Sequence, residues 1–216
     1  MAAGAIGTKK LASNVKIYEK VGTSTLTEIS VDDITVSTVP ASKIAFVSYD
    51  YAGRVNYLVL SDVTGDGYNY GFFAYEAGTP GSGMDVGTND TLAIRNADSG
   101  GKETTTTPIE GSFSVPGGRP GGMAVTGSGK VASYLTLKSA VGLKRTAFDL
   151  AKNTVITAND QYPVWEKVQC YNSTTGSWYP YGYTGLAQAL AFSDNITVYF
   201  DRAPQEGGKI RMVVVY

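Results

Sequence analysis

The sequence predicts an all-β protein: two related small β-barrel or sandwich-like submodules built from antiparallel hairpins, with little helix. Three observations carry that prediction. The 216 residues include 26 glycines and 8 prolines with only 17 % charged residues and 43 % apolar ones, a balance that suits many short strands and turns and fits neither a disordered chain nor a long-helix protein. Short β-branched and aromatic runs recur between Gly, Asn, Asp and Pro, which is the strand-and-turn pattern. Finally, the chain repeats itself.

In chain order the predicted strands are residues 15–19, 44–50, 54–61, 68–76, 91–96, 111–115, 130–138, 154–158, 164–171, 195–201 and 209–216. Most are short β-branched and aromatic runs bounded by Gly, Asn, Asp or Pro. The helical signal is thin. Residues 139–152 space Val141, Phe148 and Leu150 as a helix would but carry Gly142, and residues 185–192 are long enough for two turns at most. Residues 79–129, dense in Gly and Thr, read as two or three hairpins with long turns, the alternative being an inter-domain linker or binding loop.

The repeat matches Val15–Lys–Ile–Tyr18 with Val168–Gln–Cys–Tyr171, Ile44 and its strand with Ile196, and Val55–Asn–Tyr–Leu–Val–Leu60 with Ile210–Arg–Met–Val–Val–Val215, at offsets of 153, 152 and 155. On simple alternation Val55, Tyr57 and Val59 share one face, as do Ile210, Met212 and Val214. Because the opposite faces are also apolar, these strands belong inside a wall covered on both sides. The last strand is therefore expected to be central, with Ile210, Met212 and Val214 in the core. The expected division is 1–66 for the first submodule and 67–216 for the second, which could pack as one unit.

Composition also removes functions. With no histidine there is no Ser-His-Asp or Cys-His nucleophile and no His-ligated zinc. Cys170, the single cysteine, cannot form an internal disulfide, and its alignment with Ile17 reads it as a small buried hydrophobe. A formal net charge of −1 gives no broad attraction to nucleic acid or to an anionic membrane, so neither nucleic acid nor membrane insertion is expected as a partner. The first residues lack the apolar stretch of a secretory signal; the export address of a secreted parent would lie upstream of them.

Residues 42–55 (Ser-Lys-Ile-Ala-Phe-Val-Ser-Tyr-Asp-Tyr-Ala-Gly-Arg-Val), 62–71, 146–150, 167–172 and 201–215 together resemble the repetitive β-rich region of Gram-positive Firmicutes surface proteins that bear S-layer homology domains. The resemblance covers most of the chain and brings no catalytic motif with it. It implies an exported module at the extracellular cell surface, held to the wall by another part of its parent, and says little about activity; with no catalytic constellation among the residues, the expected function is a non-catalytic structural, display or adhesion module. Its implied partners are cell-envelope components or other surface-protein domains.

Three groups of residues are candidate sites. Trp178, Tyr179, Tyr181 and Tyr183 form an aromatic cluster that could stack on a glycan or host ligand, against which stands ordinary core packing. Asp62, Thr64 and Asp66 before Gly67 echo the opening of a calcium loop; Phe73 stands where the closing Glu belongs, and Gly65–Asp66–Gly67 also reads as a tight hairpin turn between residues 54–61 and 68–76. No cofactor is expected apart from calcium there. The carboxylate pairs Asp32/Asp33, Asp194/Asp201 and Asp201/Glu206 admit glycoside chemistry only if they converge; all read as turn residues, and no catalytic residue is assigned.

Overall fold

The structure is a computed structural model that describes residues 5–6, 8–78 and 89–216, with the backbone alone described at 5–6. The chain is all-β, with three sheets and one α-helix among the described residues. It divides into two compact units: Met1–Tyr68 with Ala124–Ser133 and Gln205–Gly207, and Asn69–Met123 with Tyr134–Pro204 and Gly208–Tyr216.

The first unit holds a sheet of β1 (Ala5–Ile6), β2 (Lys9–Lys20), β3 (Thr27–Ile29), β4 (Ile44–Tyr49) and β5 (Val55–Ser61). Strand β5 lies between β4, its antiparallel hairpin partner, and β2, to which it is parallel. The hairpin closes on Asp50, whose carboxylate accepts the N–H groups of Ala52 and Arg54 at 2.9 and 2.8 Å, with Gly53 at a positive φ of 72°.

In the second unit, β6 (Asn69–Glu76), β7 (Asp90–Ala97), β8 (Glu103–Thr105), β9 (Ile109–Gly111), β10 (Pro120–Val125) and β11 (Val131–Thr136) make one sheet, in the order β11-β10-β6-β7-β8 with β9 on β7. The tip of the β10–β11 hairpin is counted with the first unit, where Thr25 donates its N–H to the Val125 carbonyl at 3.0 Å. Residues 89–129 thus contain paired strands; 79–88, the rest of the Gly/Thr-rich stretch, lie outside the described residues. The strand expected over 111–115 ends at Gly111, and Val115 is buried without belonging to a strand.

The second unit also holds a sheet of β12 (Lys138–Leu143), β13 (Phe148–Asp149), β14 (Thr154–Ile156), β15 (Gln161–Asn172), β16 (Ser177–Trp178), β17 (Ile196–Phe200) and β18 (Ile210–Val215), with the helix α1 at Tyr183–Phe192. Strand β18 is central, antiparallel to β17 and parallel to β15. Residues 139–152, where the helical signal is thin, begin as strand β12, with Ser139 and Ala140 paired to β17; the helix over 185–192 is longer than the two turns expected. The helix runs ten residues, nearly three turns at 3.6 residues each, with Leu186, Ala189 and Leu190 packed into the core.

Four strands of each copy share one topology. In each copy a twelve-residue first strand (β2, β15) carries a short antiparallel strand (β3, β16) and runs parallel to the last strand (β5, β18), which forms a hairpin with the one before it (β4, β17). The expected antiparallel hairpins are present, and each module is also closed by a parallel pair, which lets the first strand cover the open edge of the hairpin.

The cores match position by position. Leu11, Val15, Ile17, Ile44, Val47, Val55, Leu58 and Leu60 lie where the copy has Val164, Val168, Cys170, Ile196, Val198, Ile210, Val213 and Val215. What covers them differs: Ile29, Ile34, Val36 and Val39 in the first unit, Leu186, Ala189 and Leu190 of α1 in the second.

Simple alternation fails at an equivalent place in the last strand of each copy, and in the first copy also at Ala45 of β4. The antiparallel register steps from Ser48↔Tyr57 to Tyr49↔Val55, and from Tyr199↔Met212 to Phe200↔Ile210, so Asn56 and Arg211 are extra residues at equivalent bulges. A one-residue shift moves every following side chain to the other face. Val55 therefore faces the same core as Leu58 and Leu60, and Ile210 the same core as Val213 and Val215, while Met212 and Val214 pack on the opposite side with Phe72, Ala97 and Trp178. The last strand is central and fully buried as expected, but its inward residues are divided between two layers.

Candidate functional site

The loop at residues 62–67 is organised around a carboxylate from elsewhere. Glu19, fully buried at the end of β2, accepts the backbone N–H groups of Val63 and Thr64 on Oε1, and the Thr64 hydroxyl (2.8 Å) and Gly67 N–H (3.1 Å) on Oε2. Four donors thus converge on one anion. A calcium loop does the reverse, turning oxygens inward. Thr64, one of the three residues considered as metal ligands, spends its hydroxyl on Glu19 and on the Asp66 N–H (3.1 Å), and Asp62 takes a left-handed φ of 49°. Among the described residues no three His, Cys, Asp or Glu side chains are grouped to hold a metal.

Nor is this loop a hairpin turn. Both edges of β5 are occupied, by β2 and β4, so β6 pairs instead with β7 and β10. The Glu19 carboxylate supplies the hydrogen bonds that a turn closed by paired strands would have supplied.

The aromatic cluster separates. Trp178 is buried at 7 % exposure, with Phe72 at 5.3 Å and Tyr171 at 4.9 Å between ring centres, and its indole N–H donates to Glu103 at 2.9 Å. Tyr179 is partly buried and its hydroxyl accepts the Asn172 amide at 3.1 Å. Only Tyr181 and Tyr183 are exposed, each at 39 %, and the Tyr183 hydroxyl donates to the Val164 carbonyl at 3.2 Å. The four rings do not form one open surface, because period-two alternation at 178–179 buries the larger ring first.

The carboxylates are similarly occupied. Asp33 accepts the N–H and hydroxyl of Ser30 at 2.7 and 3.0 Å, closing a single helical turn. Asp194 accepts the Arg145 N–H at 2.7 Å, and this bond, with the Lys144 and Arg145 charges behind it, holds its pKa below the usual carboxylate value. Asp194 and Asp201 sit at opposite ends of β17, roughly 20 Å apart at about 3.3 Å per residue, well beyond the separation that glycoside hydrolysis uses.

A further buried carboxylate, Asp201, reads from the sequence as a turn residue or as one member of a carboxylate pair. Asp201 closes the β17–β18 connection by accepting the Arg202 and Lys209 N–H groups at 3.0 Å each, the role Asp50 plays in the first unit. Its other oxygen accepts Nε and Nη2 of Arg211 at 3.0 and 2.8 Å and the Tyr70 hydroxyl at 3.3 Å. The Arg211 guanidinium lies against both the Tyr70 and Trp165 rings, 4.7 and 4.9 Å from their centres, and the two rings meet edge-on at 5.4 Å. A lone Arg inside an apolar strand was the available signal: a buried Arg requires a carboxylate, and the nearest conserved-in-copy position is the hairpin Asp.

Cys170 is fully buried, and desolvation pushes its thiol well above the ordinary range, which disfavours the reactive thiolate. No helix of the described residues is long and apolar enough to cross a membrane. No family model, curated protein or solved structure matches the chain.

Proposed function

We propose that this chain is a non-catalytic structural and display module of an exported, S-layer-type bacterial surface protein. One observation carries the reading: three carboxylates on which several donors converge are spent on the architecture. Glu19 holds the 62–67 loop, and Asp50 and Asp201 close the equivalent hairpins of the two copies. Among the described residues no buried side-chain nitrogen or oxygen lacks a hydrogen-bond partner. Such saturation favours a rigid body, since each buried polar group fixes one arrangement.

The partners of such a module are cell-envelope components or neighbouring domains of surface proteins. The burial of Trp178 weighs against the glycan platform considered for residues 178–183, and the separation of Asp194 from Asp201 weighs against a carboxylate-pair hydrolase.

The test is surface accessibility. Antibodies raised against the purified chain should label intact, unpermeabilised cells of the source organism. Labelling that appears only after lysis contradicts the proposal.

A further inference from the structure

The duplication allows a comparison of the second faces of the two half-modules. In the second unit that face carries Tyr171, Tyr199, Met212 and Val214, and it is covered by Phe72 of β6, Ala97 of β7 and Trp178. Phe72 meets Tyr171 edge-on, with ring centres 5.0 Å apart. The same positions in the first unit are Tyr18, Ser48, Tyr57 and Val59, with Phe46 where the copy has Thr197. Tyr18 and Tyr57 stack at 5.0 Å, and Phe46 stands edge-on to Tyr57 at 6.0 Å. Thr197 is 5 % exposed; Phe46 is 53 % exposed. An aromatic strip therefore crosses three strands of the first sheet with its outermost ring in water.

We propose that this face packs against the same face of a second copy of the chain, sheet on sheet about a two-fold axis. The copy in the second unit shows what suits such a face: another sheet that offers an aromatic ring to the edge of the tyrosine. The strip meets that requirement itself, because the exposed Phe46 of one copy can take the place against Tyr18 of the other that Phe72 takes against Tyr171. Two-fold pairing also needs a self-complementary rim. Beside the strip Lys16 and Glu28 pair with each other at 2.7 Å within one chain, each more than half exposed, so the rim presents no net charge to a second copy. A net charge of −1 leaves little repulsion between copies. The rings stack on each other and so offer edges rather than flat faces, which suits a protein layer better than a sugar. This inference holds wherever the module is displayed and does not rest on the function proposed above.

Sedimentation of the purified chain over a concentration series tests it, with Phe46→Lys as the disrupting variant and Leu150→Lys, which changes an exposed leucine of the other unit, as the control. The expected result is a concentration-dependent dimer whose dissociation constant rises at least tenfold in Phe46→Lys and stays unchanged in Leu150→Lys. Circular dichroism melts should coincide for all three; should Phe46→Lys fail to fold, Phe46→Ser makes the same comparison. A chain that remains monomeric up to about 1 mM, where association would be worth only about 4 kcal/mol, overturns the proposal. So does a Phe46 variant that dimerises like the parent, or a control that weakens the dimer equally.

Discussion

Asp201 Oδ2 lies 2.8 Å from Nη2 of Arg211, and neither side chain has any solvent exposure. The pair sits at the bulge that breaks the alternation of β18, so it occupies the one point where the last strand changes which residues face which layer. Removing Asp201 leaves the Arg211 charge buried without its carboxylate, and removing Arg211 leaves Asp201 buried with only the more distant Arg202 at 3.7 Å. Arg211→Ala should therefore destabilise the protein by about 3–5 kcal/mol, and Arg211→Met, which fills the volume, should recover only part of that while Asp201 remains. Denaturant titration of the single variants and of the double variant Asp201→Asn/Arg211→Met checks this; additive losses would show that the two residues are not coupled.

Glu19 is expected to be worth more than any residue of the loop it holds. Substitution by Gln keeps its shape but removes the charge that four donors share, and at roughly 1.5–3 kcal/mol for a hydrogen bond to a charged group the loss should exceed about 2 kcal/mol. Calcium or a chelator should leave the melting temperature unchanged, since a ligand at 100 times its Kd would add about 2.7 kcal/mol and be plainly visible. Differential scanning calorimetry reads both, and a rise of several degrees with calcium would restore the metal-loop reading of Asp62, Thr64 and Asp66.

Much of this architecture is legible in the sequence, and the parts that are not share a cause. Ile17 and Cys170, or Leu58 and Val213, can be paired from the sequence because duplicated strands keep both spacing and apolar character. The bulges at Asn56 and Arg211 cannot be read from alternation, since an extra residue leaves the local pattern of apolar side chains intact. They misassign Val55 and Ile210 to the wrong face as a result. Glu19 is invisible for another reason: its partners begin 44 positions away, and only a folded parallel pair brings the end of β2 to the 62–67 loop. The separation of Trp178 from Tyr181 and Tyr183 likewise depends on where β16 ends and α1 begins, which local composition does not mark.

Gly185 should resist replacement by alanine although alanine is the better helix former. A Cβ there would stand 1.6 Å from the Pro180 carbonyl oxygen, so the start of α1 would have to move away from the 179–180 segment. The expected cost of about 1–3 kcal/mol for overpacking exceeds the roughly 1 kcal/mol that alanine gains over glycine in a helix. Thermal unfolding of Gly185→Ala should show a lower melting temperature; an increase would mean that the close approach is absent.

The pH dependence of stability should bear the mark of Asp194. Its folded pKa is lowered, first by the Arg145 N–H and then by the Lys144 and Arg145 charges, so its contribution is fully present above the unfolded value of about 3.9 and is lost as pH falls through the folded one. The melting temperature should drop between pH 5 and pH 2, and Asp194→Asn should drop less across the same interval. An identical drop would remove Asp194 from the account.

The central claim is that two copies of one half-module make this fold and that the last strand closes the second of them. Strand β18 lies between β15 and β17, with all six residues buried, and each large apolar side chain so placed contributes about 1.5–3 kcal/mol. Losing several is comparable with a domain's whole stability of about 5–15 kcal/mol. Thermal unfolding of the chain truncated after Gly208 is the most direct measurement: the account predicts loss of a cooperative transition, and a truncated protein that stays soluble and melts sharply near the parent's temperature would contradict it.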